Sequence, residues 1–211
     1  MPALKTLLIT ATALAGVAGL APAAQAEQGD FLVRLRAIHI APDESSTIDP
    51  IGGKATVGTA TVPELDITYF LTDRIAAELI LATADHNVGA VNTALGDVDL
   101  ASTNILPPTL TLQYHLAPEA EIRPYVGAGI NYTFFYDESA PGGAVTSIDY
   151  SDSFGFALQA GADFMVTDSW FINADVKKLF LDTRADLNGG AITADVDIDP
   201  WIFGLGVGMK F

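Results

Sequence analysis

The sequence predicts an all-β protein, an eight-stranded antiparallel transmembrane β-barrel with short periplasmic turns and long external loops. Three observations carry that reading. The chain opens with an export signal, its remainder resolves into eight segments of alternating apolar and polar residues, and the connections between them are short and long by turns. Side chains on a strand alternate faces with period two, and a barrel in lipid turns its apolar face outward.

Residues 1–26 read as a secretory signal peptide. Lys5 is the only charged side chain, residues 7–20 are apolar or small, and Ala24-Gln25-Ala26 supplies an A-x-A pattern for cleavage after Ala26. Gly16, Gly19 and Pro22 break the run and no stop-transfer charges come after it, which argues against an uncleaved membrane helix. Residues 27–211 then form one barrel domain. Without Lys5 it carries nine basic against twenty-six acidic residues, a net −17. That acidity excludes nucleic acid as a partner, which needs a basic footprint. The chain has no cysteine, so an exported protein of this length relies on its fold alone. No later apolar run reaches the ~20 residues of a membrane helix, but barrel strands need only ~9–11 alternating ones.

The first segment, 31–40, sets Phe31, Val33, Leu35 and Ala37 against Arg34 and Arg36. The second, 61–71, opposes Leu65, Ile67, Tyr69 and Leu71 to Glu64, Asp66 and Thr68, and Thr72-Asp73-Arg74 turns it into the third, 75–84. The fourth, 105–116, sets Leu110, Leu112, Tyr114 and Leu116 against Thr109, Thr111, Gln113 and His115. The fifth, 123–136, alternates Val126, Ala128, Ile130, Tyr132, Phe134 and Tyr136 with Gly127, Gly129, Asn131 and Thr133. The sixth, 154–166, turns at Thr167-Asp168-Ser169 into the seventh, 170 to about 181. The eighth starts near Asp195 and ends at Phe211, with Trp201, Phe203, Leu205, Val207, Met209 and Phe211 at every second position.

The connections near 72, 120 and 168 are short, whereas 41–60, 85–104, 137–153 and 182–194 are long and rich in Asp, Gly, Ser, Asn and Pro. That asymmetry puts both termini in the periplasm and four acidic loops outside. Phe31, Tyr69, Tyr114, Trp170 and Phe211 fall at periplasmic strand ends. Tyr132, Phe134, Tyr136, Phe154, Phe156, Trp201 and Phe203 lie towards the external ends. Two such belts are what amphipathic rings favour at the two interfaces.

These residues resemble the OmpW family of small outer-membrane barrels. The likeness rests on Leu106-Pro-Pro-Thr-Leu110, on Arg123-Pro-Tyr-Val-Gly-Ala-Gly-Ile-Asn-Tyr-Thr133 and on Asp199-Pro-Trp201, and covers the mature chain in order. The resemblance implies a narrow barrel that passes small hydrophobic molecules across the outer membrane and lets them leave through a lateral opening. It also implies links to stress responses and, in at least one relative, bacteriocin reception. The closing Gly206, Met209 and Phe211 resemble the signal by which barrel-assembly machinery recognises its clients.

An eight-stranded lumen is filled by side chains or holds one small ligand. Arg34, Arg36, Asp66, Glu78, Asp163, Asp175 and Lys177, with Gln113 and His115, face inward towards the periplasm. Buried charges must pair, so they form either an ion-pair plug or a polar conduction path. Nearer the outside the inward set becomes Ile38, Ile40, Val62, Ala82, Ala84, Ile105, Leu179 and Leu181, an apolar cup above a charged floor. A small apolar guest entering such a cup needs a sideways exit into outer-membrane lipid. Pro107 and Pro108 cannot donate ladder hydrogen bonds and are the candidates for that opening, or else simply start a strand. The alternative function is a structural or receptor barrel with a plugged lumen, working through its acidic loops.

Neither catalysis nor a cofactor is expected. His39, His86 and His115 are placed at the rim, in an external loop and at the periplasmic end, and none has a serine two residues on. They make neither a nucleophile–base pair nor a zinc site.

Overall fold

The computed structural model describes residues 27–94, 96–140, 142 and 145–211. The signal peptide and its cleavage point after Ala26 lie outside the described residues. Eight strands close the expected barrel: β1 (Phe31–Ala41), β4 (Ala60–Phe70), β5 (Ile75–Ala82), β8 (Thr109–His115), β9 (Ile122–Ser139), β11 (Ser153–Met165), β12 (Trp170–Phe180) and β15 (Trp201–Lys210). Each pairs antiparallel with its sequence neighbour in the wall. The β1–β15 pairing, from Leu32↔Lys210 to Ala41↔Trp201, closes the ring.

The two tight periplasmic turns use one device. Thr72 Oγ1 accepts from the backbone N–H groups of Arg74 (3.3 Å) and Ile75 (2.9 Å). Thr167 Oγ1 does the same for Ser169 (3.3 Å) and Trp170 (3.0 Å). A threonine that satisfies the turn's own donors lets two strands join within four residues.

The barrel is inside-out relative to a water-soluble core. Leu35, Leu65, Leu79, Leu112, Leu158 and Leu205 are exposed on its outer face, flanked by exposed rings in the two expected belts. Arginines, carboxylates and amides are buried inside. Gly206 permits the closing seam: a Cβ there would meet Leu35 O and the Cα of Arg36 on β1.

The long external connections depart from the expectation of loops. They fold into β2 (Ser45–Asp49), β3 (Lys54–Val57), β6 (Ala84–Thr93), β7 (Gly96–Leu106), β10 (Ile148–Tyr150), β13 (Asp182–Leu187) and β14 (Ile192–Asp197). β3, β6 and β7 extend the wall beyond β9, while β10-β13-β14-β2 form a separate four-stranded sheet. Their buried faces, including Ile48, Ala55, Ala90, Leu100, Ile148, Leu187 and Ala194, join Ile38 and Ile40 in one apolar cluster. Residues 195–197 consequently belong to the β13–β14 hairpin. The last wall strand starts at Trp201, after a corner where Asp199 Oδ1 accepts from Leu181 N at 2.9 Å.

Candidate functional site: an apolar cup over a charged floor

The floor is a single network on the inward faces of β1, β4, β5, β11 and β12. Arg34 is fully buried and forks onto Asp163, with Nε to Oδ1 at 3.2 Å and Nη2 to Oδ2 at 2.8 Å. Its Nη1 reaches Thr68 Oγ1 (2.6 Å), Asp66 Oδ1 (3.1 Å) and Glu78 Oε1 (3.4 Å). Arg36 donates from Nε to Glu64 Oε1 (2.9 Å), its Nη2 lies 2.9 Å from Asp66 Oδ2, and its Nη1 lies 3.5 Å from Asp175 Oδ2. Lys177 Nζ takes Glu64 Oε1 at 2.6 Å and Asp175 Oδ1 at 3.3 Å.

Three cations thus face five carboxylates, and neutral donors complete the set. Gln113 Nε2 donates to Glu78 Oε2 (2.7 Å), Gln159 Nε2 and Tyr125 OH to Asp175 Oδ2 (2.9 and 3.0 Å), and Asn173 Nδ2 to Asp163 Oδ1 (2.7 Å). Every predicted floor residue lies in this network, and Glu64, Tyr125, Gln159 and Asn173 join it. Below it sits a layer that the sequence did not predict, with Leu32, Phe70, Ala76 and Phe171 packed together and His115 against Phe70 and Tyr125. Phe70 and Phe171 share strand parity with Thr68 and Asn173, and that parity was the available signal.

Above the floor, Ile38, Ile40, Ala82, Ala84, Ile105, Leu179 and Leu181 line one cavity, as does Pro107. Val62 packs against the same apolar cluster without lining the cavity. Ile80, Ile198, Pro200 and Ile202 add apolar wall, and Glu64, Lys177 and Thr109 supply its polar base. The cavity measures about 60 Å³, room for only a few water-sized bodies. The external apolar cluster roofs it. A second, more open groove of about 620 Å³ between β3, β6, β7 and the end of β9 shares Val57 with it.

Pro107 and Pro108 fall between β7 and β8. The β5–β8 ladder ends at Ile80↔Thr109 and resumes in the same register as β6–β7 at Ala84↔Ile105. Residues 81–83 and 106–108 are therefore unpaired across that seam. On its other side the wall stays closed, with Tyr132 N donating to Pro108 O at 3.1 Å. A second gap was not anticipated. The β4–β5 ladder stops at Glu64↔Ala82, next to Pro63, and pairing returns only at Gly58 N to Asn87 O (3.1 Å). Thr83 stands where both gaps meet, and its hydroxyl lies 2.6 Å from Tyr136 OH.

The three histidines stand apart. His39 points outward to Thr61 Oγ1 (3.0 Å), and His115 Nε2 lies 3.2 Å from Gln113 Oε1. His86 is not in a loop: it is buried on β6, lines the cup, and places Nδ1 2.8 Å from Gly58 O. Local alternation with Ala84 brings it inward. No group of three metal-ligating side chains occurs among the described residues.

Comparison with known proteins matches residues 27–211 to the OmpW family model. The chain is 43% identical over 186 residues to the uncharacterized outer-membrane protein y4mB of Sinorhizobium fredii, covering 85% of this chain and 79% of that one. It is 36% identical to outer membrane protein W of Vibrio cholerae, covering 90% and 93%. Among solved structures it is similar to the outer membrane protein OprG of Pseudomonas aeruginosa, with a TM-score of 0.83, 34% identity, and coverage of 89% of this chain and 98% of that one.

Proposed function

Since the chain belongs to the OmpW family and is an outer-membrane barrel, we propose that it is a narrow passage for small hydrophobic molecules, releasing them sideways into the bilayer. The observation that carries this reading is the apolar cup seated on a filled floor beside a break in the wall. A guest in the cup meets buried ion pairs and the Phe70–Phe171 layer below it. Moving through them strips charges of their partners, which is costly. Leaving between β5 and β8 breaks no ladder bond at 107–108, because residues 81–83 and 106–108 are unpaired there and the prolines have no N–H to donate. Pro107 lines the cup, so the exit starts inside it.

Entry requires the external sheets to part. The open groove that shares Val57 with the cup is the way in on this reading. Gly206, Met209 and Phe211 serve assembly in the same proposal, as the segment presented to the barrel-assembly machinery.

A receptor reading has its own support, since the external strands make an ordered acidic platform over one core. Uptake of apolar and polar probes by barrels reconstituted in an asymmetric outer-membrane bilayer separates the two. Selective apolar uptake supports passage, and a folded barrel without it leaves the platform as the working surface.

A further inference from the structure

The polar part of the cup includes two hydrogen-bond acceptors, on Glu64 and His86, to which no described side chain or backbone group donates. Glu64 is 2% exposed, and both of its cations, Arg36 and Lys177, bind the same oxygen, Oε1. Among the described residues none donates to Oε2. Glu64 and Lys177 both line the cavity, so its base ends in a carboxylate oxygen beside an ammonium group. The second acceptor belongs to His86, which is 5% exposed. Its Nδ1 faces a carbonyl oxygen, which only accepts, so the neutral ring carries its proton there and leaves a lone pair on Nε2.

Resting on the reading of the cup as a binding site, we propose that it prefers small hydrocarbon bodies bearing one hydroxyl, an aliphatic alcohol or a phenol, over hydrocarbons of the same shape. Glu64 and Lys177 read the hydroxyl. The group donates its proton to Glu64 Oε2 and accepts from the ammonium of Lys177, matching both members of the pair at once. Its apolar body lies against Ile38, Ile80 and Leu179 in the cup widened by parting of the external sheets, because the closed cavity of about 60 Å³ is smaller than a phenol ring. A hydrocarbon in the same place displaces water from Oε2 and offers no donor in return, and leaving a buried acceptor unmade is what discriminates most strongly. A carboxylate guest fails for the opposite reason, since it brings negative charge against Glu64. His86 extends the preference for donors towards the external side of the cup.

Phenol and toluene are the test pair, nearly equal in size and differing in the hydroxyl. The full barrel in lipid nanodiscs, with isoleucine and leucine methyls labelled, is titrated with each while following Ile38, Ile40 and Leu179 by NMR. Concentrations are expressed in the bilayer phase, so that partitioning cancels. Phenol is expected to half-saturate the shifts at about tenfold lower concentration than toluene. Glu64→Gln is expected to remove most of that difference; the wild-type comparison stands if this variant does not assemble. Toluene binding as well as phenol overturns the hydroxyl preference and leaves the cup as a site for apolar guests. No methyl shift with either probe overturns both readings.

Discussion

Arg34 is one of the two arginines on which the floor depends. It holds Asp163, Asp66 and Glu78 together from a fully buried position, and removing it leaves three carboxylates short of a partner. Arg34→Met is expected to cost ~3–5 kcal/mol, read by denaturant unfolding of the reconstituted barrel. A loss below about 1 kcal/mol, the scale of a surface pair, would mean the network is not what binds the lower barrel together. Gly206→Val should fail differently, by blocking the approach of β15 to β1, because a Cβ there would collide with Leu35 O and the Cα of Arg36. The expected outcome is poor closure in a refolding assay, and a normally folding variant contradicts the close-packed seam. The charged residues of this floor were legible in the sequence because a wall strand gives each inward position a fixed parity. Glu64 had that parity too, but its bond to Lys177 joins β4 to β12, a proximity that no local pattern reveals.

At the scale of elements, the barrel strands were readable and the external ones were not. Wall strands alternate large apolar with polar residues, and lipid enforces the contrast. β6, β7, β13 and β14 alternate alanine, valine or threonine with Asp and Asn, which resembles loop composition until the partner sheet is present. The cup was for this reason only half visible: its barrel-derived wall could be read, but Ile198 and His86 come from segments of loop-like composition. Leu187→Ala, fully buried at the turn end of β13 in the external sheet, tests whether these strands fold as a unit with the wall. It is expected to cost ~2–5 kcal/mol locally. Faster amide exchange in β10, β13 and β14 with unchanged exchange in β1 and β15 is the expected pattern. Uniform acceleration through the wall would show one cooperative body instead.

The seam between β5 and β8 belongs to the same scale. Pro107→Val with Pro108→Thr restores one backbone donor facing residues 81–83, at 107, and one facing β9, where the carbonyl of residue 108 already accepts from Tyr132 N. Amide exchange at residues 81–83 should slow and apolar uptake should fall several-fold. Slower exchange with unchanged uptake removes the prolines from the mechanism and leaves the gap beside Pro63 as the remaining opening in the wall.

The whole molecule combines a wall that lipid stabilises from outside with a lumen filled in two layers. The lower layer is charge and aromatic rings, the upper is apolar and joined to the external sheets. On the proposed reading such a barrel is blocked along its axis and opens through its side. That asymmetry is the central claim, and tracing where a guest leaves tests it most directly. A photoreactive apolar probe admitted from the external side of the reconstituted barrel should label residues 81–83 and 106–108 and the neighbouring outer-leaflet lipid, with none recovered in the periplasmic compartment. Probe recovered in that compartment, with labelling of Phe70 and Phe171 on the way, would contradict the lateral route and make the floor a conduction path.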